Sequence, residues 1–204
     1  MSDSNQELRV INTITEGITL GLKNMVPIGV NALLWLLTCW IPYLNVGTTI
    51  GLYVGIITKL NSGESIPMTE IFDPKYRKFM GEYFLTAGLM SMGAAVGFVL
   101  AVIPGFIILL AWSFAPLLVI DKGKNPTEAL VISNKCTYGN KVNMFGIYFL
   151  FYAVIGIVGG LLIMLFGKIH GFLAFLVFLA VAVVAIFGYE GIQARIYKQL
   201  AGDE

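Results

Sequence analysis

The chain has 204 residues, of which 57% are hydrophobic and 12% are charged, and its formal net charge is +1. A soluble domain carries about 25% charged residues, so a single core of this size would leave too much apolar surface in water. The small net charge supplies no field for nucleic acid or for a strongly acidic partner, and the composition favours an integral membrane protein.

Six long apolar stretches divide the chain, and we interpret each of them as a transmembrane helix. In chain order they are residues 25–40, 43–59, 79–102, 105–120, 142–166 and 171–189. A helix that crosses the bilayer needs roughly 20 apolar residues. The first, second and fourth stretches are shorter and would need a thinner bilayer or snorkelling polar flanks. The predicted fold is an all-α integral membrane protein with six transmembrane helices in three tandem hairpins.

The positive charges lie on one side of these six stretches. All of the 13 Lys and Arg residues except Lys168 fall in the two tails or in the polar loops after the second and fourth stretches. Short loops rich in Lys and Arg stay in the cytoplasm, so we predict that both termini are cytoplasmic. Trp40 and Tyr43 would then lie at the outer interface, where aromatic side chains are common.

The hairpins indicate one membrane domain, residues 1–204, built from three repeat units at about 24–78, 79–140 and 141–200. Pro42 and Pro104 mark equivalent turns in the first two units. In the second unit, Asn125 is a good N-cap for a helix that starts at Pro126, which predicts a short interfacial helix over residues 126–138. Residues 1–23 form a cytoplasmic amphipathic segment, with a surface helix expected over 7–23.

Several short motifs resemble a known group of proteins. They are Ile103-Pro104-Gly105-Phe106, Trp112-Ser113-Phe114-Ala115-Pro116, Asp121, Glu128-Ala129-Leu130, Ser133 and Gly139-Asn140. This pattern resembles uncharacterised bacterial polytopic membrane families that include the YciC-type proteins. It also resembles the membrane domain fused to glycerophosphoryl diester phosphodiesterases. The resemblance covers most of the chain and implies a six-helix, multi-pass protein of the bacterial inner (cytoplasmic) membrane with no agreed activity.

The residue types give little support for catalysis. The chain has one histidine, no cluster of His, Cys and Asp at metal-ligand spacing, and no nucleophile or phosphate-binding motif. The 204 residues contain no phosphodiesterase domain, so that chemistry does not follow from the resemblance. We therefore expect no enzyme activity, no metal and no cofactor. An intramembrane enzyme that combines Ser113 with Glu190 is a third alternative.

Glycines at four-residue spacing predict close helix contacts. Small residues at this spacing let two helix backbones approach each other in a membrane. The contacts would lie either within one bundle or in an oligomer interface. The residues are Gly47, Gly51, Gly55, Gly93, Gly97, Gly156 and Gly160.

Polar residues in or near the predicted spans define a candidate cavity, because such residues are costly in lipid. The set is Asn31, Trp112, Ser113, Pro116 and Glu190. Pro116 is expected to kink its helix. The alternatives are that Ser113 bonds its own backbone, that Trp112 fills a gap, and that Glu190 is solvated or pairs with Lys or Arg.

A compact basic cluster follows the second predicted span. It consists of Lys75, Arg77 and Lys78, and it is a candidate contact for anionic lipid or a simple topogenic signal.

These observations favour a non-enzymatic membrane protein that interacts with membrane lipids or with another membrane protein, and they exclude nucleic acid as a partner. The alternative is a small-solute transporter or an oligomeric channel, since internal repeats are common in transporters. One objection to the alternative is that none of the six predicted spans carries a buried charge. A homo-oligomer is compatible with either function.

Overall fold

The computed structural model describes residues 8–202, and within that range it is helical with no β-strand. Helices also make up 83% of the structure. The α-helices are α1 (Val10–Lys23), α2 (Met25–Thr38), α3 (Leu44–Ile50), α4 (Ile56–Ser62), α5 (Lys75–Lys78), α6 (Met80–Leu100), α7 (Val102–Ala111), α8 (Ala115–Asp121), α9 (Pro126–Cys136), α10 (Lys141–Gly167) and α11 (Gly171–Ala201). A π-helical turn, Gly51–Gly55, joins α3 to α4, and a 3-10 turn, Glu70–Phe72, precedes α5.

Four helical stretches of the described chain are long and apolar enough to cross a membrane, as expected of a membrane protein. They are Met80–Leu100, Val102–Asp121, Lys141–Gly167 and Gly171–Ala201. A fifth candidate is the pair formed by α1 and α2, which meet at an angle of 70°. The all-α class predicted from the sequence is therefore confirmed, with four or at most five candidate spans.

The prediction of six spans is not supported. The first predicted stretch forms α2, which has only 14 residues and is bent sharply away from α1. The second predicted stretch is interrupted by the π-helical turn, and its central side chains, such as Ile50 and Val54, are fully buried by protein. Its apolar residues therefore pack in the core instead of facing lipid, which explains why hydrophobicity alone gave too many spans.

The buried core occupies one end of the molecule. It combines α4, α8, the first half of α10 and the second half of α11, and large buried side chains there include Phe114, Leu117, Met144 and Tyr197. At 1.5 Å per residue α11 is about 46 Å long, whereas the hydrocarbon core of a bilayer is about 30 Å thick. The second half of α11 can therefore pack in this core while the first half lies in lipid.

The other end of the molecule exposes apolar side chains, as lipid-facing helices do. The exposed residues belong to α2, the ends of α6 and α7, and the α10–α11 hairpin. Val99 is 85% exposed and Ile103 is 72% exposed at the tight connection between α6 and α7. Exposed apolar surface of this extent is typical of a protein that contacts a membrane or another protein.

The closest helix contact joins α1 to α11. The helix expected over residues 7–23 is confirmed as Val10–Lys23, while residue 7 lies outside the described part of the chain. Its buried face consists of Thr13, Gly17 and Gly21. A Cβ atom added to Gly21 would overlap the carbonyl oxygen of Phe187, and one added to Gly191 would overlap that of Gly17. The small residues of α1 thus form a packing interface with α11.

The short helix predicted over residues 126–138 is confirmed as α9, Pro126–Cys136, while its interfacial position stays a prediction. The Asn125 side-chain oxygen accepts a hydrogen bond from the Glu128 backbone N–H at 2.9 Å, and Pro126 occupies the first helical position. The capping chemistry that was visible in the sequence therefore forms in the structure.

We predict that Gly21→Ala destabilises the protein, because the new methyl group forces the α1 and α11 backbones apart. Overpacking of this kind typically costs about 1–3 kcal/mol. Gly156→Ala is the matched control, since a Cβ at Gly156 meets no atom within 4 Å and alanine favours a helix over glycine by roughly 0.5–1 kcal/mol. The thermal unfolding temperature in detergent should fall for Gly21→Ala and stay level or rise for Gly156→Ala. Equal shifts in the two variants would contradict the proposed contact.

Candidate functional site

The break between α7 and α8 is stabilised by α9. The Ser133 hydroxyl donates to the Ala111 carbonyl oxygen at 2.7 Å and accepts the Phe114 backbone N–H at 3.1 Å. The Thr137 hydroxyl also lies 3.4 Å from the Ala111 oxygen. Backbone groups freed by an interrupted membrane helix need such partners. From the sequence, Ser133 was noted only as part of a motif, and its hydrogen bonds to the interrupted backbone were not predicted.

Three residues of the predicted cavity lie at this break, and two of them have local partners. The Ser113 hydroxyl donates to the Leu110 carbonyl oxygen of its own chain turn at 2.9 Å. The Trp112 ring occupies the space beside Gly93, where a Cβ atom would overlap it. Pro116 is buried in the first turn of α8, directly after the interruption. The helix is interrupted at residues 112–114, directly before α8, and Pro116 occupies the first turn of α8. The contacts favour packing roles for Trp112 and Ser113.

Asn31 is fully buried and links two separate parts of the chain. Its side-chain amide donates to the carbonyl oxygens of Pro27 at 2.9 Å and Pro67 at 2.8 Å. Its side-chain oxygen accepts the Ile71 backbone N–H at 3.1 Å. Asn31 therefore holds the segment after α4 against α2, and its partners do not belong to the α7–α8 break.

The segment after α4 also packs against three of the predicted glycines, Gly47, Gly51 and Gly55. A Cβ on Gly51 would lie 2.7 Å from the Ile71 Cα atom, one on Gly55 would overlap the Tyr76 hydroxyl, and one on Gly47 would lie 2.7 Å from the Arg77 Cγ atom. These three glycines make room for the connection between α4 and α6, which is neither a facing span nor a second copy of the chain.

The basic cluster is partly neutralised by carboxylates. Lys75 Nζ lies 2.9 Å from Glu70 Oε1 and 3.1 Å from Asp73 Oδ2. Glu70 is buried and also accepts a hydrogen bond from the Tyr76 hydroxyl. Arg77 and Lys78 are exposed, so the positive charge available to a lipid headgroup at this cluster is smaller than its sequence indicates.

The same contacts shift two ionisation equilibria. The Lys75 backbone N–H donates to Asp73 and holds the pKa of that carboxyl group below its ordinary value. Burial, and then the hydrogen bond to Glu70, raise the pKa of the Tyr76 hydroxyl. Because the Asp73 pKa is lowered in the folded state, its contribution to stability is present above an unfolded pKa of about 3.9 and is lost as the pH falls through the folded value.

The remaining predicted glycines have different surroundings. A Cβ on Gly97 would lie 2.9 Å from the Gly105 Cα atom, so this residue lets α6 and α7 pack closely. Gly156 and Gly160 have open space where a Cβ would be. The neighbouring Gly159, which breaks the four-residue spacing, is the one that accommodates a side chain of α11, that of Val181.

Glu190 lies beside a cluster of tyrosines. The Tyr189 ring centre is 6.0 Å from that of Tyr148 and 6.5 Å from that of Tyr152. Glu190 Oε2 is buried and has no hydrogen-bond partner within residues 8–202. The sequence pointed to Glu190 but missed the tyrosines, although Tyr148 and Tyr152 are four residues apart on α10.

The predicted partners of Glu190 lie elsewhere. Arg195, five residues further along α11, forms an ion pair with Glu16 of α1. Ser113 and Glu190 share no hydrogen bond in the described chain, so the residues proposed for an intramembrane enzyme are not brought together by one.

An apolar groove runs between α7 and α10. It has a volume of about 650 Å³ and is lined by Phe106, Leu109, Leu110, Phe145, Tyr148, Phe149, Tyr152 and Ala153. A second groove of about 310 Å³ adjoins it, shares Phe106, Leu110 and Phe145, and includes Lys141 at its wall. Neither groove was predicted from the sequence, because their walls come from stretches whose apolar residues are all predicted to face lipid.

A shallow cavity of about 320 Å³ lies between α1 and α11. Its walls are Thr15, Glu16, Thr19, Leu20, Lys23 and Arg195. It contains two cationic side chains and one carboxylate, and it is open to the surroundings. None of these residues was a candidate binding residue in the sequence analysis.

Comparisons of the chain with protein-family models, with curated proteins and with solved structures find no match. The resemblance to the YciC-type families therefore remains an expectation from short motifs. Within residues 8–202, no three His, Cys, Asp or Glu side chains are grouped as metal ligands.

We predict that Asn31→Ala loosens the segment between α4 and α6. Removal of the amide leaves the Pro67 carbonyl and the Ile71 N–H without their partner, and a buried unsatisfied group costs about 1–3 kcal/mol. Asn12→Ala is the matched control, since Asn12 is exposed on α1. Limited proteolysis should cut the region 63–73 faster in Asn31→Ala only, and its unfolding temperature should fall. Unchanged cleavage would show that Asn31 does not anchor this segment.

Proposed function

We propose that this protein is a non-enzymatic polytopic membrane protein that binds the hydrocarbon chain of a membrane lipid in the groove between α7 and α10. The observation that carries the proposal is the groove itself. Its walls are almost entirely apolar, and both helices belong to the stretches that are apolar enough to cross a membrane. A volume of about 650 Å³ falls within the roughly 300–1,000 Å³ of ligand pockets.

The groove requires an apolar occupant. Water in the groove would make few hydrogen bonds, because its walls offer few polar groups. If the groove were empty, the side chains of its walls would lack dispersion contacts. Hydrocarbon is the solvent of a membrane-spanning surface, so a lipid chain is the occupant that is always at hand. The Tyr148 hydroxyl donates to Gln193 in the core, so Tyr148 presents its ring to the groove. Tyr152 is half-exposed at the groove wall and adds one phenol to the apolar lining, which suits an amphipathic molecule.

The proposal includes a cellular setting. We place the protein in the bacterial inner membrane as a single multi-pass domain of the YciC-type group, with both termini in the cytoplasm. Support comes from the distribution of Lys and Arg, which leaves only Lys168 on the opposite side of the predicted spans. Four of the qualifying stretches, α6, α7 with α8, α10 and α11, make two hairpins and leave both termini on one side, and we take these four as the spans.

We predict that Ala153→Trp reduces the amount of lipid that remains bound after purification in a mild detergent. The indole group would fill the groove at its α10 wall and displace the lipid chain. Ala95→Trp is the control, because Ala95 is exposed on α6 and does not line the groove. Mass spectrometry of extracted lipid, expressed per mole of protein, should show a loss of at least half in Ala153→Trp alone. Equal lipid in both variants and the wild type would refute the groove as the binding site.

A second candidate function, transport of a small solute, is favoured by one observation. The objection that no span carries a buried charge is weakened by Glu190, whose buried Oε2 atom lacks a partner within a candidate span. Ionisable residues in such positions commonly mark a transport pathway. If this function is correct, proteoliposomes should take up ions or small solutes, and Glu190→Gln should slow uptake about tenfold while Glu82→Gln, on the exposed first turn of α6, leaves it unchanged. Absence of uptake by the wild type would reject transport.

A further inference from the structure

The shallow cavity between α1 and α11 has an excess of positive charge. Lys23 forms no ion pair with any residue between 8 and 202, whereas Arg195 is paired with Glu16. Two cations and one carboxylate leave the cavity with a net charge of +1. A group that accepts hydrogen bonds and carries negative charge would complement this arrangement.

The other polar side chains of the cavity do not compete for that role. The Thr15 hydroxyl donates to the Ile11 carbonyl oxygen at 3.1 Å, and the Thr19 hydroxyl donates to the Thr15 carbonyl oxygen at 2.7 Å. Their protons are therefore used within α1, and the donors left for an anion are those of Lys23 and Arg195. Charge-assisted hydrogen bonds from such groups are the strong ones for phosphate.

The cavity lies where the protein surface changes from polar to apolar. Directly after Lys23, the exposed side chains of α2 begin with Met25 and Val26. On α11, the residue that meets the end of α1 is Phe187, and the turns before it expose Val183 and Ile186. Lipid phosphates occupy the corresponding boundary of a bilayer, so a headgroup at Lys23 and Arg195 could keep its chains along these apolar side chains.

From these observations we infer that the cavity formed by Thr15, Glu16, Thr19, Leu20, Lys23 and Arg195 binds the headgroup phosphate of an anionic membrane lipid. Lys23 supplies the main attraction. Glu16 weakens binding, because it neutralises Arg195. The site is separate from the α7–α10 groove in its residues, and it selects lipids by charge, whereas the groove accepts hydrocarbon. The cavity thus extends the proposed lipid-binding function to a preference for anionic headgroups.

The experiment measures binding of phosphatidylglycerol and of phosphatidylcholine to the full chain in a non-ionic detergent by native mass spectrometry. The wild type should prefer phosphatidylglycerol. Lys23→Gln should weaken phosphatidylglycerol binding about fivefold, as expected for the loss of one basic side chain near an anionic headgroup. Lys135→Gln is the control, because Lys135 is exposed on α9 and its substitution changes the net charge equally.

Glu16→Gln gives an independent test with the opposite sign. Removal of the carboxylate charge frees Arg195 and raises the charge of the cavity, so phosphatidylglycerol should bind about fivefold more tightly. If the Glu16–Arg195 pair served only to hold α1 on α11, the same substitution would lower the unfolding temperature and would not improve binding of the anionic lipid.

Three results would overturn the inference: no preference of the wild type for phosphatidylglycerol, equal binding by Lys23→Gln and the wild type, or weaker binding by Glu16→Gln. Inorganic phosphate is added in a separate arm. Displacement of phosphatidylglycerol by equimolar phosphate would show that the cavity prefers free phosphate to a lipid headgroup, and this result would also overturn the inference. The Ala153→Trp variant separates the two proposals, because it should lose lipid from the groove and keep the preference for phosphatidylglycerol.

Discussion

The backbone contact between α1 and α11 is the constraint on which the rest of the structure depends. Gly17 and Gly21 of α1 meet Gly191 and the Phe187 carbonyl of α11 with no space for a Cβ atom. In a membrane, helices associate through close packing, since lipid removes the hydrophobic difference between helix and surroundings. This contact directs the second half of α11 into protein instead of lipid, and that half supplies much of the buried core.

Two polar anchors complete the packing that this contact begins. Asn31 ties the segment after α4 to α2 through the Pro67 carbonyl and the Ile71 N–H, and Ser133 satisfies the backbone at the break between α7 and α8. Each anchor supplies the hydrogen bonds that buried backbone groups would otherwise make to water. The irregular parts of the chain can therefore be buried, which leaves the regular apolar helices to face lipid.

The sequence predicted helices and helix caps well, but it did not predict which helices pack against each other. The helices at α6, α10 and α11 and the N-cap of α9 follow from runs of apolar residues and from the spacing of Asn125, Pro126 and Glu128. The second predicted span was misread because a stretch buried by protein and a stretch buried by lipid have the same hydrophobicity. Among the predicted site residues, Asn31 is buried and Glu190 has one buried carboxylate oxygen, but their surroundings were not foreseeable.

By itself, the sequence determined the membrane-like composition, the helical class, and where most helices begin and end, because hydropathy and capping depend on neighbours a few residues apart. Only the tertiary structure decided which residues meet. Glu16 pairs with Arg195 across 179 positions, and Asn31 reaches Ile71 across 40. Such pairs depend on the angle and depth at which two helices pack against each other. That geometry follows from the combined packing of many side chains, and no short sequence motif encodes it.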